Sequence, residues 1–195
     1  MESFNQNFTK YNILLASASP RRHELLEQLG IKFTVVKPSN IEEHIPKNVF
    51  REDIAMHLAV EKANFFQNLN DNDLLITADT IVWIDDKVLG KPTDYSDAFQ
   101  MLKVLSGKSH YVITGVCLKS NAKTKVFYAS TLVRFSNISD DEIRYYIENY
   151  KPYDKAGAYG IQEWIGKIGI EHIEGSFYNV VGLPIQMLYQ ELQKF

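Results

Sequence analysis

The chain has 195 residues, a formal net charge of −3 and one cysteine, Cys117. That length suffices for one domain with a sizeable core and does not force a split into two. The slightly acidic balance argues against a dedicated DNA or RNA binder, so any positive patch must be local, and a lone cysteine excludes an internal disulfide or an all-cysteine zinc site.

Met1 to Lys10 is polar and lacks a signal-peptide core, and no apolar run approaches the roughly 20 residues that span a bilayer. The expectation is therefore one cytoplasmic domain over 1–195, with a flexible segment at 1–10 and no membrane or nucleic-acid partner. Ile13 to Ala16 reads as a short buried strand entering Ser17-Ala18-Ser19-Pro20-Arg21-Arg22. Ser19 stands as an N-cap and Pro20 as the first residue of a helix that stops at Gly30, with Leu25, Leu26 and Leu29 on one side. Phe33 to Val36 reads as a second strand, followed by a loop carrying Glu42 and Glu43. From about Glu52 to Leu69, the apolar positions Ile54, Leu58, Phe65 and Phe66 give a helical stripe, and Asn70 to Asp73 a turn. Leu74 to Ile84 is the most apolar segment, one strand or two joined at Asp79-Thr80, and it turns at Asp85-Asp86 into Val88-Leu89.

A helix is predicted from Tyr95 to Ser106, capped by Asp94 and stopped by Gly107. Tyr111 to Lys119 and Lys125 to Phe135 read as an antiparallel pair around Ser120-Asn121. Ser139 and Glu142 form a capping box for a helix that buries Ile143, Tyr146 and Ile147 and ends by Pro152. A glycine-rich passage from Asp154 to Gly169 follows, then two short strands near Ile168 to Ile173 and Phe177 to Val181. Pro184 opens a last helix with Ile185, Leu188 and Leu192. Helices alternating with strands, some hairpin-linked, predict an α/β fold with a mixed β-sheet and flanking helices.

Several residues sit oddly for a pure core. Arg21 and Arg22 lie in the first turn of a helix, where the peptide dipoles favour an anion and two guanidinium forks can grip a polyphosphate; the plain alternative is a solvated surface pair. Asp79 interrupts the run LLITADTIVWI without an accompanying glycine or proline. A buried carboxylate must be paired, hydrogen-bonded, metal-bound or facing a cleft, the ordinary alternative being a cap or a strand end. Thr80 beside it suits either a ligand contact or simple strand formation. Lys62 shares the helical stripe of Leu58 and Phe65, where it either snorkels outward or reaches a ligand. Lys91 stands between Gly90 and Pro92 in a stiff loop. Magnesium is commonly held by one or two carboxylates plus substrate oxygens, so Glu42 or Glu43 with Asp79 would suffice. No P-loop, no G-x-S-x-G elbow and no metal-ligand spacing among the histidines occurs.

In order and spacing, LLASASPRRHELLEQLG, the acid pair, EKA at Glu61 to Ala63, ADTIV at Ala78 to Val82, LGKP at Leu89 to Pro92, MLKVLSG, DKAGAYGIQ at Asp154 to Gln162 and VVGLP at Val180 to Pro184 resemble the Maf proteins, a family of nucleoside triphosphate pyrophosphatases. The resemblance runs from about Ile13 to Leu192. It implies two lobes around a cleft, an architecture related to the inosine triphosphate pyrophosphatases, and attack of water on the α-phosphorus with a divalent metal cation, Mg2+ or Mn2+. In that family the aspartate of ADT is taken as general base, here Asp79. The implied substrate-binding residues are Ser17, Ser19, Arg21, Arg22, Lys62, Thr80, Lys91, Asp154, Lys155 and Gln162, and the implied metal ligands are Glu42, Glu43 and Asp79. Arg21, Thr80 and Gln162 match the set associated with the dTTP/UTP branch. After Gln162 the chain departs from the glycine-rich stretch of many relatives and reads Glu163-Trp164-Ile165.

The expected function is thus metal-dependent hydrolysis of dTTP and UTP, extending to modified pyrimidine nucleotides. The alternative is a nucleotide-binding regulatory protein linked to cell division, without significant hydrolysis. A homodimer is a further open expectation, Tyr145 and Tyr153 being candidates for its surface as much as for ordinary half-buried aromatics.

Overall fold

In the computed structural model, which describes residues 7–37 and 49–195, a seven-stranded mixed sheet runs through the molecule with helices on both faces. The elements are β1 (Asn12–Leu15), α1 (Pro20–Gln28), β2 (Thr34–Val35), α2 (Arg51–Asn64), β3 (Asp73–Ile84), β4 (Lys87–Leu89) and α3 (Tyr95–Leu105), then β5 (Ser109–Lys119), β6 (Thr124–Phe135), α4 (Asp140–Tyr150), α5 (Trp164–Gly169), β7 (Ile170–Glu174), α6 (Phe177–Val181) and α7 (Ile185–Lys194). Strand order is β2-β1-β3-β5-β6-β7, with β4 also on β3. β1 is parallel to β2 and β3, and the remaining pairs are antiparallel. The expected α/β class with a mixed sheet is what the chain adopts.

The central strand β3 explains its own composition. Leu74, Ile76, Ala78 and Val82 point into the larger core with residues of α1, α3, α4 and α7. Leu75 and Ile81 pack on the other face against Ala59 and Ala63, and against Ile54, Ala55 and Leu58, all of α2. A strand covered on both faces reads as a continuous apolar run instead of an alternating one. It is also a single strand, not two joined at Asp79-Thr80.

Helix α2 is drawn unusually close to the sheet. Gly115 of β5 lies directly under the Ala55 backbone, where any Cβ would collide. The buried Thr77 hydroxyl donates to the Ala59 carbonyl at 2.6 Å, pinning the helix to β3.

Two local readings need correction. Phe177 to Val181 is a helix, not a strand: the Ser176 side chain caps it by accepting from the Asn179 amide, and buried Asn179 hydrogen-bonds the Val112 carbonyl and the Thr131 hydroxyl. Those tertiary bonds outweigh the β-propensity of phenylalanine, tyrosine and valine. Helix α2 stops at Asn64, short of Leu69, and Phe65 is half exposed. Ser19 does hold the N-cap position with Pro20 first in the helix, but its side chain makes no cap bond and its amide donates to the Ser17 hydroxyl at 3.2 Å.

Candidate active site

A break in strand pairing organises the site. One edge of β3 pairs with β5 along Leu75 to Trp83, so β1 and β4 must share the opposite edge. β1 covers Asp73 to Ile76 and β4 covers Val82 to Ile84, which leaves Thr77 to Ile81 without a strand partner on that side among the described residues. Asp79 and Thr80 lie in this gap. After Leu15 the chain turns away into the loop before α1, so the gap opens beyond the carboxyl end of a parallel strand, the usual place for a ligand crevice in α/β sheets.

Arg22 bridges the gap. Its Nη1 donates to the Ala78 carbonyl at 2.8 Å, its Nη2 to the Thr80 hydroxyl at 2.9 Å, and its Nε to the Gly182 carbonyl at 2.8 Å. The guanidinium thereby supplies the edge carbonyl with a donor and ties α1 to β3 and to the end of α6. The Thr80 hydroxyl is also shared with Thr114 at 2.9 Å, so its bonding capacity is used within the fold.

Asp79 and Thr80 alternate across the sheet. Asp79 faces α2, where the Lys62 ammonium pairs with its Oδ1; both side chains are 12% exposed. The close seat of α2 over Gly115 and its bond to Thr77 bring Lys62 to this place. Pairing offsets the cost of burying either charge alone.

On the other side of the cleft, Asp154 bridges two cations. Its Oδ2 takes Arg21 Nη1 at 2.7 Å and its Oδ1 takes the Lys155 ammonium at 2.7 Å. Burial alone would raise the Asp154 pKa, but Lys155 and Arg21 together hold it below the ordinary carboxylate range. Lys155 is itself buried and also meets Glu163 Oε1 at 3.0 Å. The Gly157 amide donates to the Gly90 carbonyl at 2.9 Å, which ties this segment to the loop of Lys91.

These groups surround one cleft of about 480 Å3. Ser17, Ser19, Arg21, Arg22, Lys62, Asp79, Thr80, Lys91, Asp154, Lys155 and Gln162 all line it. Glu42 and Glu43 lie outside the described residues. Lys37 and Tyr159 also line the cleft without a sequence pattern that marks them, Lys37 because a lysine after a strand carries no signal. Tyr159 was hidden within the DKAGAYGIQ string, where its hydroxyl meets His110 Nε2 at 2.8 Å. In a chain of net charge −3, the lining is basic: Arg21, Arg22, Lys37, Lys62, Lys91 and Lys155 against Asp79 and Asp154.

Among the described residues no three His, Cys, Asp or Glu side chains are grouped to hold a metal ion. An all-protein cage is therefore not what these residues offer. Carboxylate oxygens beside a cationic cleft do suit a hard cation that completes its shell with phosphate oxygens.

A family model described as Maf-like protein matches residues 12–195. A dTTP/UTP pyrophosphatase of Phocaeicola vulgatus is 55% identical over 190 residues, 97% of this chain and 98% of the relative. Another dTTP/UTP pyrophosphatase, from Porphyromonas gingivalis, is 51% identical over 192 residues, 97% and 96% of the two chains. Among solved structures, a HAM1 protein from Coxiella burnetii aligns with a TM-score of 0.51 at 16% identity, covering 95% of this chain and 100% of that one, a likeness of fold alone.

Proposed function

The chain belongs to the Maf family, and from that premise we propose that it is a nucleoside triphosphate pyrophosphatase that converts dTTP and UTP to the monophosphate and pyrophosphate. The observation that carries the reading is the cleft itself. Guanidinium and ammonium groups line the same cleft as the Asp79 carboxylate, with Lys62 paired to it, a set of groups that suits a polyphosphate and an attacking water. The naming of close relatives as dTTP/UTP pyrophosphatases supports the substrate class.

In this reading Asp79 is the general base. It takes a proton from water as the water oxygen bonds to the α-phosphorus and the bond to the bridging oxygen breaks, releasing pyrophosphate. Lys62 keeps the Asp79 carboxylate oriented and, with Arg21, Lys91 and Lys155, neutralises charge that grows on the phosphate oxygens. Arg22 and Thr80 act at one remove, by holding α1 and α6 on the open edge of β3. The Gln162 amide both donates and accepts, which suits the O4/N3 edge of thymine or uracil.

Asp79, joined by Glu42 or Glu43 and by substrate oxygens, would hold a divalent cation. When bound, Mg2+ or Mn2+ supplies charge neutralisation on the phosphates and a lowered water pKa.

The test is a product-resolved assay over a panel of nucleoside triphosphates, with magnesium or manganese and with chelator. Monophosphate plus pyrophosphate from dTTP and UTP, lost with chelator, is the expected result. Binding without turnover of any triphosphate would overturn it in favour of a nucleotide-binding regulatory protein.

A further inference from the structure

Behind the cleft lies a network of which the reaction described above uses only the Lys155 ammonium. Lys155 sits between two carboxylates, Asp154 at 2.7 Å and Glu163 at 3.0 Å, and only 9% of its side chain is exposed. The two carboxylates are held very differently. Asp154 has a side chain 56% exposed and is fixed otherwise by Arg21, itself a cleft residue. Glu163 has a side chain 25% exposed, and its Oε2 accepts the hydroxyl of Tyr146, a fully buried residue of α4. The Gly160 amide in turn donates to the Tyr146 oxygen at 3.0 Å. A Cβ at Gly160 would lie 2.9 Å from Glu163 Cδ and 3.1 Å from Lys155 Cε, so the two side chains lie packed over a residue that has none.

Arg21 and Lys155 carry two positive charges, and Asp154 and Glu163 two negative ones. A phosphate that enters can replace the exposed Asp154 carboxylate on both cations. It cannot readily replace Glu163, which is locked to helix α4. We propose that Glu163, clamped by Tyr146, is a positioning residue that presents the Lys155 ammonium to the phosphate chain of the substrate. This inference rests on the triphosphate reading of the cleft and adds to it a residue, Glu163, outside the set expected from the sequence.

The proposal opposes simple electrostatics, which makes it testable. Removing a negative charge from an anion site should tighten anion binding. Removing the group that holds Lys155 in place should weaken it. Calorimetric titration of the full chain with pyrophosphate, in chelator, separates the two. Glu163→Gln is expected to weaken pyrophosphate binding about tenfold, with Lys155→Met weakening it at least as much. In the Lys155→Met background, Glu163→Gln is expected to leave binding unchanged or tighter, because the carboxylate then only repels the ligand. Equal or tighter binding by Glu163→Gln alone, or the same loss in both backgrounds, overturns the proposal. If Glu163→Gln does not fold, Tyr146→Phe reads the same coupling through loss of the clamp, with a smaller loss expected and no loss overturning it. Turnover of dTTP by the native chain is measured alongside. Pyrophosphate binding without turnover counts against the pyrophosphatase reading and leaves the two-background comparison to decide the role of Glu163.

Discussion

Arg21 and Arg22 are neighbours in the chain with unlike surroundings. Arg22 is committed to Ala78, Thr80 and Gly182, whereas Arg21 pairs with the exposed Asp154. Arg22→Met should therefore cost about 3 kcal/mol in denaturant unfolding, since it takes the guanidinium donor from the Ala78 carbonyl of β3 and from the Gly182 carbonyl just after α6. Arg21→Met should change stability by no more than about 1 kcal/mol, as exposed ion pairs do, yet weaken pyrophosphate binding in the same calorimetric assay. At Asp79 the expectation concerns turnover: Asp79→Asn should lower kcat at least about 100-fold with triphosphate binding retained, and near-native turnover would remove the general-base role. The sequence singles out both arginines as candidates for a phosphate site, and could not distinguish them. Adjacent residues on a helix point about 100° apart, and what each meets is set by α6 and β3, far along the chain.

At the level of elements, the position of α2 matters most. Gly115→Ala should push α2 off the sheet and separate Lys62 from Asp79, since the added methyl meets the Ala55 backbone and not a flexible side chain. A destabilisation of about 3 kcal/mol is expected, with loss of activity exceeding what the unfolded fraction explains. Elements with strong local signals were legible. The capping box of Ser139 and Glu142 is present as the spacing predicts, and Asp94 caps α3 by accepting from the Asp97 amide. Such bonds span a single turn, so the residues that make them are close in sequence. Helix α6 was not legible, because its five residues favour a strand locally and are held helical by the Ser176 cap and by bonds from Asn179 to β5 and β6.

For the whole molecule, His110 is one source of stability lost in mild acid. It is buried, its Nδ1 has no hydrogen-bond partner among the described residues, and burial lowers its pKa to about 4 from 6.5. The folded chain holds it neutral while the unfolded chain protonates it, so its contribution is full above pH 6.5 and is lost as pH falls toward about 4. Between about pH 7 and about pH 5 the native chain should lose about 2 kcal/mol more than His110→Phe, read from denaturant midpoints. Charge shows the same contrast of scale: a chain of net −3 still gathers six cationic side chains around one cleft. By itself the sequence determined the α/β class, most helices and strands, and which residues are candidates for the cleft, because periodicity, caps and motif spacing are properties of neighbours along the chain. Only the tertiary structure decided how those residues are partnered. The open edge of β3, the Lys62–Asp79 pair and the Tyr146–Glu163–Lys155 chain each depend on strand pairing and helix packing between distant segments, and no local pattern encodes which buried charge will find which partner.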